Sequence, residues 1–192
     1  MTGARAYKLF VGLSLLMVVA SLGWIVIATL ANKAPGERDY QAGNTYFNDQ
    51  RYLKAKQSYL AALQANPNFA PAYGGLANTM VQLKDFPEAL RFIDEAIEID
   101  PKFGGYYATR GIVHDHMGAY SLAITDYEKA VLLYPDVAKG MGWLDRFFYK
   151  LPEAPPTVAD RLAYLKAQMK LPKHKRVLRV PALDGRQWPY EQ

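Results

Sequence analysis

His114, Asp115 and His116 form the only place in this 192-residue chain where imidazole and carboxylate crowd together. A metal would need them on one side, and residues two apart on a helix point to different faces. His114 is therefore read as a packing residue and His116 as facing outward. The chain has no cysteine, which removes disulfides, thiolate nucleophiles and cysteine-held zinc or iron–sulfur centres. Gly140-Met-Gly142 lacks the preceding strand and the further glycine of a phosphate loop. Ser14, Ser58 and Ser121 have no histidine or acid at a recognisable motif spacing, and Asp94-Glu95 falls on a helix face turned to water. We expect no catalytic residue, no metal, no cofactor and no enzyme activity.

One charged cluster remains. Lys170, Lys173, Lys175, Arg176, Arg179 and Arg186 face only Asp184, an excess equal to the whole chain's +5. Within this C-terminal arm (172–192), Lys173, Lys175, Arg176 and Arg179 are expected to meet anionic lipid or an acidic protein. Each base near a charged surface contributes ~1 kcal/mol, screened by salt. The arm also carries Val177, Leu178, Val180, Trp188 and Tyr190, through which it would pack on the chain or dock on a partner.

The elements that position these groups recur on a ruler. QSYLAALQANPNF, RFIDEAIEIDPKF and TDYEKAVLLYPDV end near Pro67, Pro101 and Pro135, each separated by 34 residues. In phase with them run Gly43, Ala77 and Gly111; Tyr52, Phe86 and Tyr120; Ala55, Ala89 and Ala123; and Ala62, Ala96 and Ala130. Small residues at fixed offsets let two helices cross closely, large ones fill the space around them, and proline stops the second helix. One such helix pair cannot bury its apolar face alone, whereas stacked copies share a continuous core.

The 34-residue unit resembles the tetratricopeptide repeat family. The resemblance implies an all-α solenoid with repeats at 36–69, 70–103 and 104–137, and a degenerate fourth repeat with a closing helix over 138–171. Within that last segment, Met141, Leu144 and Phe148 keep the phase, and Thr157 with Asp160 makes a capping-box start for a helix bearing Val158, Leu162, Leu165 and Met169. Arg110 stands at an apolar position of the third repeat; its stem would pack while its head reaches water.

Family geometry places a concave groove on the first helix of each pair. The partner-binding residues it implies are Tyr40, Asn44, Phe47 and Asn48; Asn78, Val81 and Gln82; Asp115 and His116; then Arg146 and Tyr149. Amides and aromatics suit a protein or peptide partner. Some family members grip the acidic terminus of a chaperone with a carboxylate clamp. Only Asn44 matches it here; Tyr40, Gly75, Ala108 and Ile112 stand where it needs two lysines, an arginine and an asparagine, so a clamp is not expected.

Residues 9–31 carry no charge. As a helix they would span about 35 Å at ~1.5 Å per residue, enough for a ~30 Å hydrocarbon core. This predicts a transmembrane helix between a cytoplasmic N-terminus (1–8) and a linker (32–35). Arg5 and Lys8 precede it without nearby acids, which favours an exported C-terminal domain that would meet no nucleic acid. The chain is thus similar to bacterial membrane-tethered repeat proteins that assist envelope-complex assembly, including some in cytochrome c maturation. The expectation is a single-pass protein of the bacterial inner membrane with a periplasmic adaptor domain. The alternative is a permanent accessory subunit of a larger respiratory, photosynthetic or cytochrome-maturation complex.

Overall fold

The computed structural model describes residues 7, 11, 13–24, 34–135 and 156–180. From residue 37 onward the helices are α1 (Glu37–Asn48), α2 (Tyr52–Ala65), α3 (Ala70–Gln82), α4 (Phe86–Ile99), α5 (Gly104–His116), α6 (Tyr120–Leu133) and α7 (Val158–Met169). Among the described residues there is no β-strand. Helices α1 to α6 form three hairpins stacked in series, each also touching the next hairpin through its first helix.

The tight turn inside each hairpin is built identically. Gln50, Lys84 and Gly118, spaced on the same 34-residue ruler, all take left-handed backbone, with φ of 59°, 60° and 77°. In each case the following amide bonds back six residues along: Arg51 N–H to Tyr46 C=O, Asp85 to Met80, and Ala119 to His114. This is a Schellman closure, which satisfies carbonyls left open at a helix end. The turns between hairpins differ. Pro67 and Pro101 lie two residues past α2 and α4, and the side chains of Asn66 and Asp100 accept from the amides of Asn68 and Lys102.

Close helix crossing is visible at the small positions. A Cβ on Gly43 would lie 2.5 Å from the Tyr59 ring, and one on Gly75, in the next hairpin, would also lie 2.5 Å from it. Tyr59 is thus clasped by two glycines from successive hairpins. Gly111 receives the Tyr127 ring in the same way, at 2.5 Å. Gly36 is required twice over, by a φ of +85° and by the Ala62 carbonyl 2.5 Å from where its Cβ would sit. Ala55, Ala62, Ala77, Ala89, Ala96, Ala123 and Ala130 are wholly buried.

The core divides into two clusters. One joins Tyr59, Leu76, Met80, Ile93, Tyr106 and Val113, and the other joins Tyr107, Ile112, Tyr127, Val158 and Leu165. Val81 and Ile97 touch both, so the stack has one continuous interior.

Helix α7 opens with the expected capping box: Thr157 Oγ1 accepts from Asp160 N–H, and Asp160 Oδ2 accepts from Thr157 N–H. Near its start Arg161 meets Asp115, in the last turn of α5, while Lys166 further along meets Glu128 of α6. Helix α7 therefore runs in the opposite sense to α5. The residues read as a degenerate first helix, 138–151, lie outside the described residues.

The predicted membrane anchor is corrected here. Among the described residues no helix is long and apolar enough to cross a membrane. Within 9–31, residues 13–24 form a continuous helical stretch with apolar side chains exposed, such as Leu15, Val19 and Trp24. Those twelve residues reach about 18 Å, short of a ~30 Å hydrocarbon core. The rest of the span, apart from residue 11, lies outside the described residues.

Candidate functional site

The concave side carries a cleft of about 410 Å³, counting the part open to solvent. That is room for side chains of an extended segment rather than for a folded partner. Tyr40, Asn44 and Phe47 of α1 form one wall, with the Tyr59 ring beneath; Pro71, Gly74, Gly75 and Asn78 of α3 form the floor. Phe103, Tyr106 and Thr109 close the far side. Sequence positions drawn together only by stacking thus make one surface.

Its polar groups are oriented by hydroxyls. Tyr59 Oη donates to Asn44 Oδ1 at 2.7 Å, which fixes the amide with its NH2 group directed away from the tyrosine. Thr109 Oγ1 donates to Asn78 Oδ1 at 3.0 Å, a buried bond linking the second and third hairpins. The aromatic rings interlock: Tyr40 stacks at a tilt on Tyr59 and edge-on to Phe69, and Phe103 meets Tyr106 edge-on. The lining carries no lysine, arginine, aspartate or glutamate. It offers aromatic faces and amides, with no fixed charge to grip a carboxylate.

The sequence-predicted groove residues divide. Tyr40, Asn44, Phe47 and Asn78 line the cleft; Asn48, Val81 and Gln82 do not. Asp115 faces no open groove. It is 6% exposed, ion-paired to Arg161 and bonded by Tyr127 Oη. His116 stacks on the Phe86 ring with centroids 4.9 Å apart. Ala108 and Ile112 are buried as well, so the third hairpin's inner face is covered by the chain's own α7. Arg146 and Tyr149 lie outside the described residues.

The basic arm also divides. Lys173 and Lys175 are exposed on a short 3-10 turn. Arg176 donates to the carbonyls of Leu171 and Met169 at the end of α7, and Arg179 donates to the His116 carbonyl. Sequence reasoning missed Arg161, which sits at the apolar spacing of α7 yet is 3% exposed. An arginine inside a hydrophobic stripe, with an aspartate at an inward position elsewhere, is the signal that pointed to it.

Arg110 does not simply reach water. It forks onto buried Asp126 and reaches Asp94 at 2.8 Å, while His114 Nδ1 lies 2.8 Å from Asp126 Oδ2. Burial would raise the Asp126 carboxyl, but the hydrogen bonds from His114 and Arg110 outweigh it and hold it below the usual carboxylate range. Burial likewise works against the Arg110 guanidinium, and its bonds to Asp126 and Asp94 prevail, holding it above its ordinary value. The cluster knits α4, α5 and α6 together.

Family models described as tetratricopeptide repeat match residues 46–109 and 105–137. These are tetratricopeptide repeats. The repeats are 32% identical over 95 residues to "Hsp70-Hsp90 organizing protein 3" of Arabidopsis thaliana, a match covering 50% of this chain and 17% of that protein. A "DnaJ homolog subfamily C member 7 homolog" of Dictyostelium discoideum is 32% identical over 104 residues, covering 52% of this chain and 19% of that one. The matched region is therefore less than a fifth of those relatives' length.

Among solved structures, the Arabidopsis OM64 TPR domain is similar at a TM-score of 0.52 and 26% identity, covering 53% of this chain and 84% of that one. The first TPR of Spaghetti (RPAP3), bound to the HSP90 peptide SRMEEVD, has a TM-score of 0.58 at 18% identity, covers 71% of this chain and 94% of that one, and shares the fold.

These relatives are eukaryotic, and the described residues contain no membrane-crossing helix. Together the two findings overturn the expected placement as a single-pass protein of the bacterial inner membrane with a periplasmic domain. They also leave the resemblance to membrane-anchored bacterial repeat proteins without support.

Proposed function

We propose that this chain is a non-catalytic adaptor whose repeats, taken as 36–69, 70–103 and 104–137, hold an extended peptide of a partner protein in the cleft between α1, α3 and α5. The observation that carries this reading is the cleft itself: aromatic walls and hydroxyl-oriented Asn44 on the concave side of a stack. Solved repeat domains of this fold hold peptides, among them the HSP90 peptide SRMEEVD in Spaghetti and Hsp70 in yeast Sti1.

The peptide chemistry differs from that of an acidic terminus. With no cation in the lining, a terminal carboxylate would lose its water without gaining a charged partner. Apolar and aromatic side chains of the ligand would fill the cleft, and the Asn44 amide would donate to a main-chain carbonyl.

The test uses the full chain and fluorescence anisotropy. SRMEEVD with a free carboxylate and its C-terminally amidated form should bind equally weakly, while a neutral aromatic-rich peptide selected from a random library should bind more tightly. Asn44→Ala and Phe47→Ala should each weaken the selected peptide about ten-fold, in line with a lost anchor of ~1–2 kcal/mol. A free-carboxylate form that binds ten-fold better than the amide, or a selected peptide indifferent to both substitutions, overturns the reading.

A further inference from the structure

Residues 176–180 are extended and turn back along α7. Their side chains alternate: Arg176, Leu178 and Val180 are half-buried, while Val177 and Arg179 are exposed. The segment is held through its main chain by side chains of α7. Tyr164 Oη donates to the Val177 carbonyl at 2.7 Å, Gln168 Oε1 accepts from the Val177 amide at 2.8 Å, and Arg161 Nη2 donates to the Leu178 carbonyl at 2.9 Å. Leu178 packs against the cluster that contains Ile112, Val158 and Leu165. Arg176 takes the carbonyls of Met169 and Leu171, at the negative end of the helix dipole.

That is how proteins bind extended peptides: main-chain hydrogen bonds supply affinity, and alternate side chains in pockets supply selectivity. The arm is a tether-bound ligand, kept at high effective concentration by a connection of only a few residues after α7.

We infer that the face of α7 bearing Arg161, Tyr164 and Gln168 is a second peptide-binding site, distinct from the cleft. Its resident ligand is the chain's own residues 176–180, and an extended partner segment with arginine and leucine at the same two-residue spacing takes the site by displacing the arm. The ligand class is set by the seat. The leucine fills the apolar hollow, the arginine meets the helix-end carbonyls, and the peptide bond between them is read by Tyr164 and Gln168.

The experiment uses the full chain carrying Arg176→Ala and Leu178→Asp, which unseats the arm, and a fluorescein-labelled peptide spanning residues 173–182, KHKRVLRVPA. Circular dichroism checks that the helices are retained; if they are not, Leu178→Ala alone serves the same comparison. The peptide should bind the released variant at least ten-fold more tightly than the unaltered chain, whose own arm competes. Adding Tyr164→Phe should weaken it roughly five-fold, as one lost hydrogen bond does. Asn44→Ala, in the separate cleft, should leave it unchanged. A helical variant that binds no peptide, or binds it no better than the unaltered chain, overturns the inference; so does binding that depends on Asn44 and not on Tyr164.

Discussion

Arg161 Nε lies 2.6 Å from Asp115 Oδ2 and Arg161 Nη2 lies 2.8 Å from Oδ1, with both side chains almost wholly removed from water. This parallel pair joins the closing helix to the third hairpin. Breaking a buried pair by removing one partner leaves an uncompensated charge. Arg161→Ala should therefore cost about 3–5 kcal/mol in urea unfolding. Changing both together, Arg161→Met with Asp115→Leu, should cost far less. Equal losses for the single and double changes would show that the ion pair is not the joint.

The two-sided clasp on Tyr59 leaves no room for a methyl group. Gly43→Ala would push a Cβ into a ring that is 2% exposed and backed by Gly75. Overpacking typically costs ~1–3 kcal/mol, and a gain of up to ~1 kcal/mol in helix propensity offsets part of it. A net loss of about 1–2 kcal/mol by thermal melting is expected, and a stabilised variant would contradict the clasp.

Gln50 and Lys84 hold left-handed backbone that costs a non-glycine residue ~1 kcal/mol. Gln50→Gly and Lys84→Gly should each stabilise the chain by about 0.5 kcal/mol, the added freedom of the unfolded chain taking back the remainder. Gly118→Ala should do the opposite. Chemical denaturation of the three variants tests this, and destabilisation by both glycine changes would refute it.

Asp126 sets an acid-side dependence. Its folded carboxyl titrates below its unfolded value, so the stability it contributes is fully present above about pH 5 and drains as pH falls below ~4 through the lowered folded value. Asp126→Asn should destabilise the chain by about 3 kcal/mol near neutrality. That difference should hold constant from about pH 5 to 8 and narrow below ~4. A gap that stays level down to about pH 3 would mean the carboxylate is not held by its neighbours.

Much of the stack could be read from the chain because it depends on residue size at fixed offsets. Glycine or alanine at 43, 77 and 111 and proline at 67, 101 and 135 state a steric requirement directly. The left-handed turns were less legible, since two of the three lack the glycine that advertises them, and hydrogen bonding compels Gln50 and Lys84 instead. Among the site residues, Tyr40, Asn44, Phe47 and Asn78 follow from repeat phase alone. Asp115 does not, because what covers it comes from Arg161, 46 residues further along. Phase describes a repeat's relation to its neighbours and is silent about a closing segment that runs against it. Arg110 misled for a related reason: its partners Asp94 and Asp126 each lie 16 residues away, on either side.

The reversed sense of α7 bears on growth of the stack. A further hairpin, whether from a longer chain or from another molecule arriving end to end, needs a helix parallel to α5 to dock against. Here that berth is taken by one pointing the other way, laced down by the returning strand. The molecule thus carries its own terminator, and an engineer wishing to lengthen the array would have to insert units before Gly104 rather than append them.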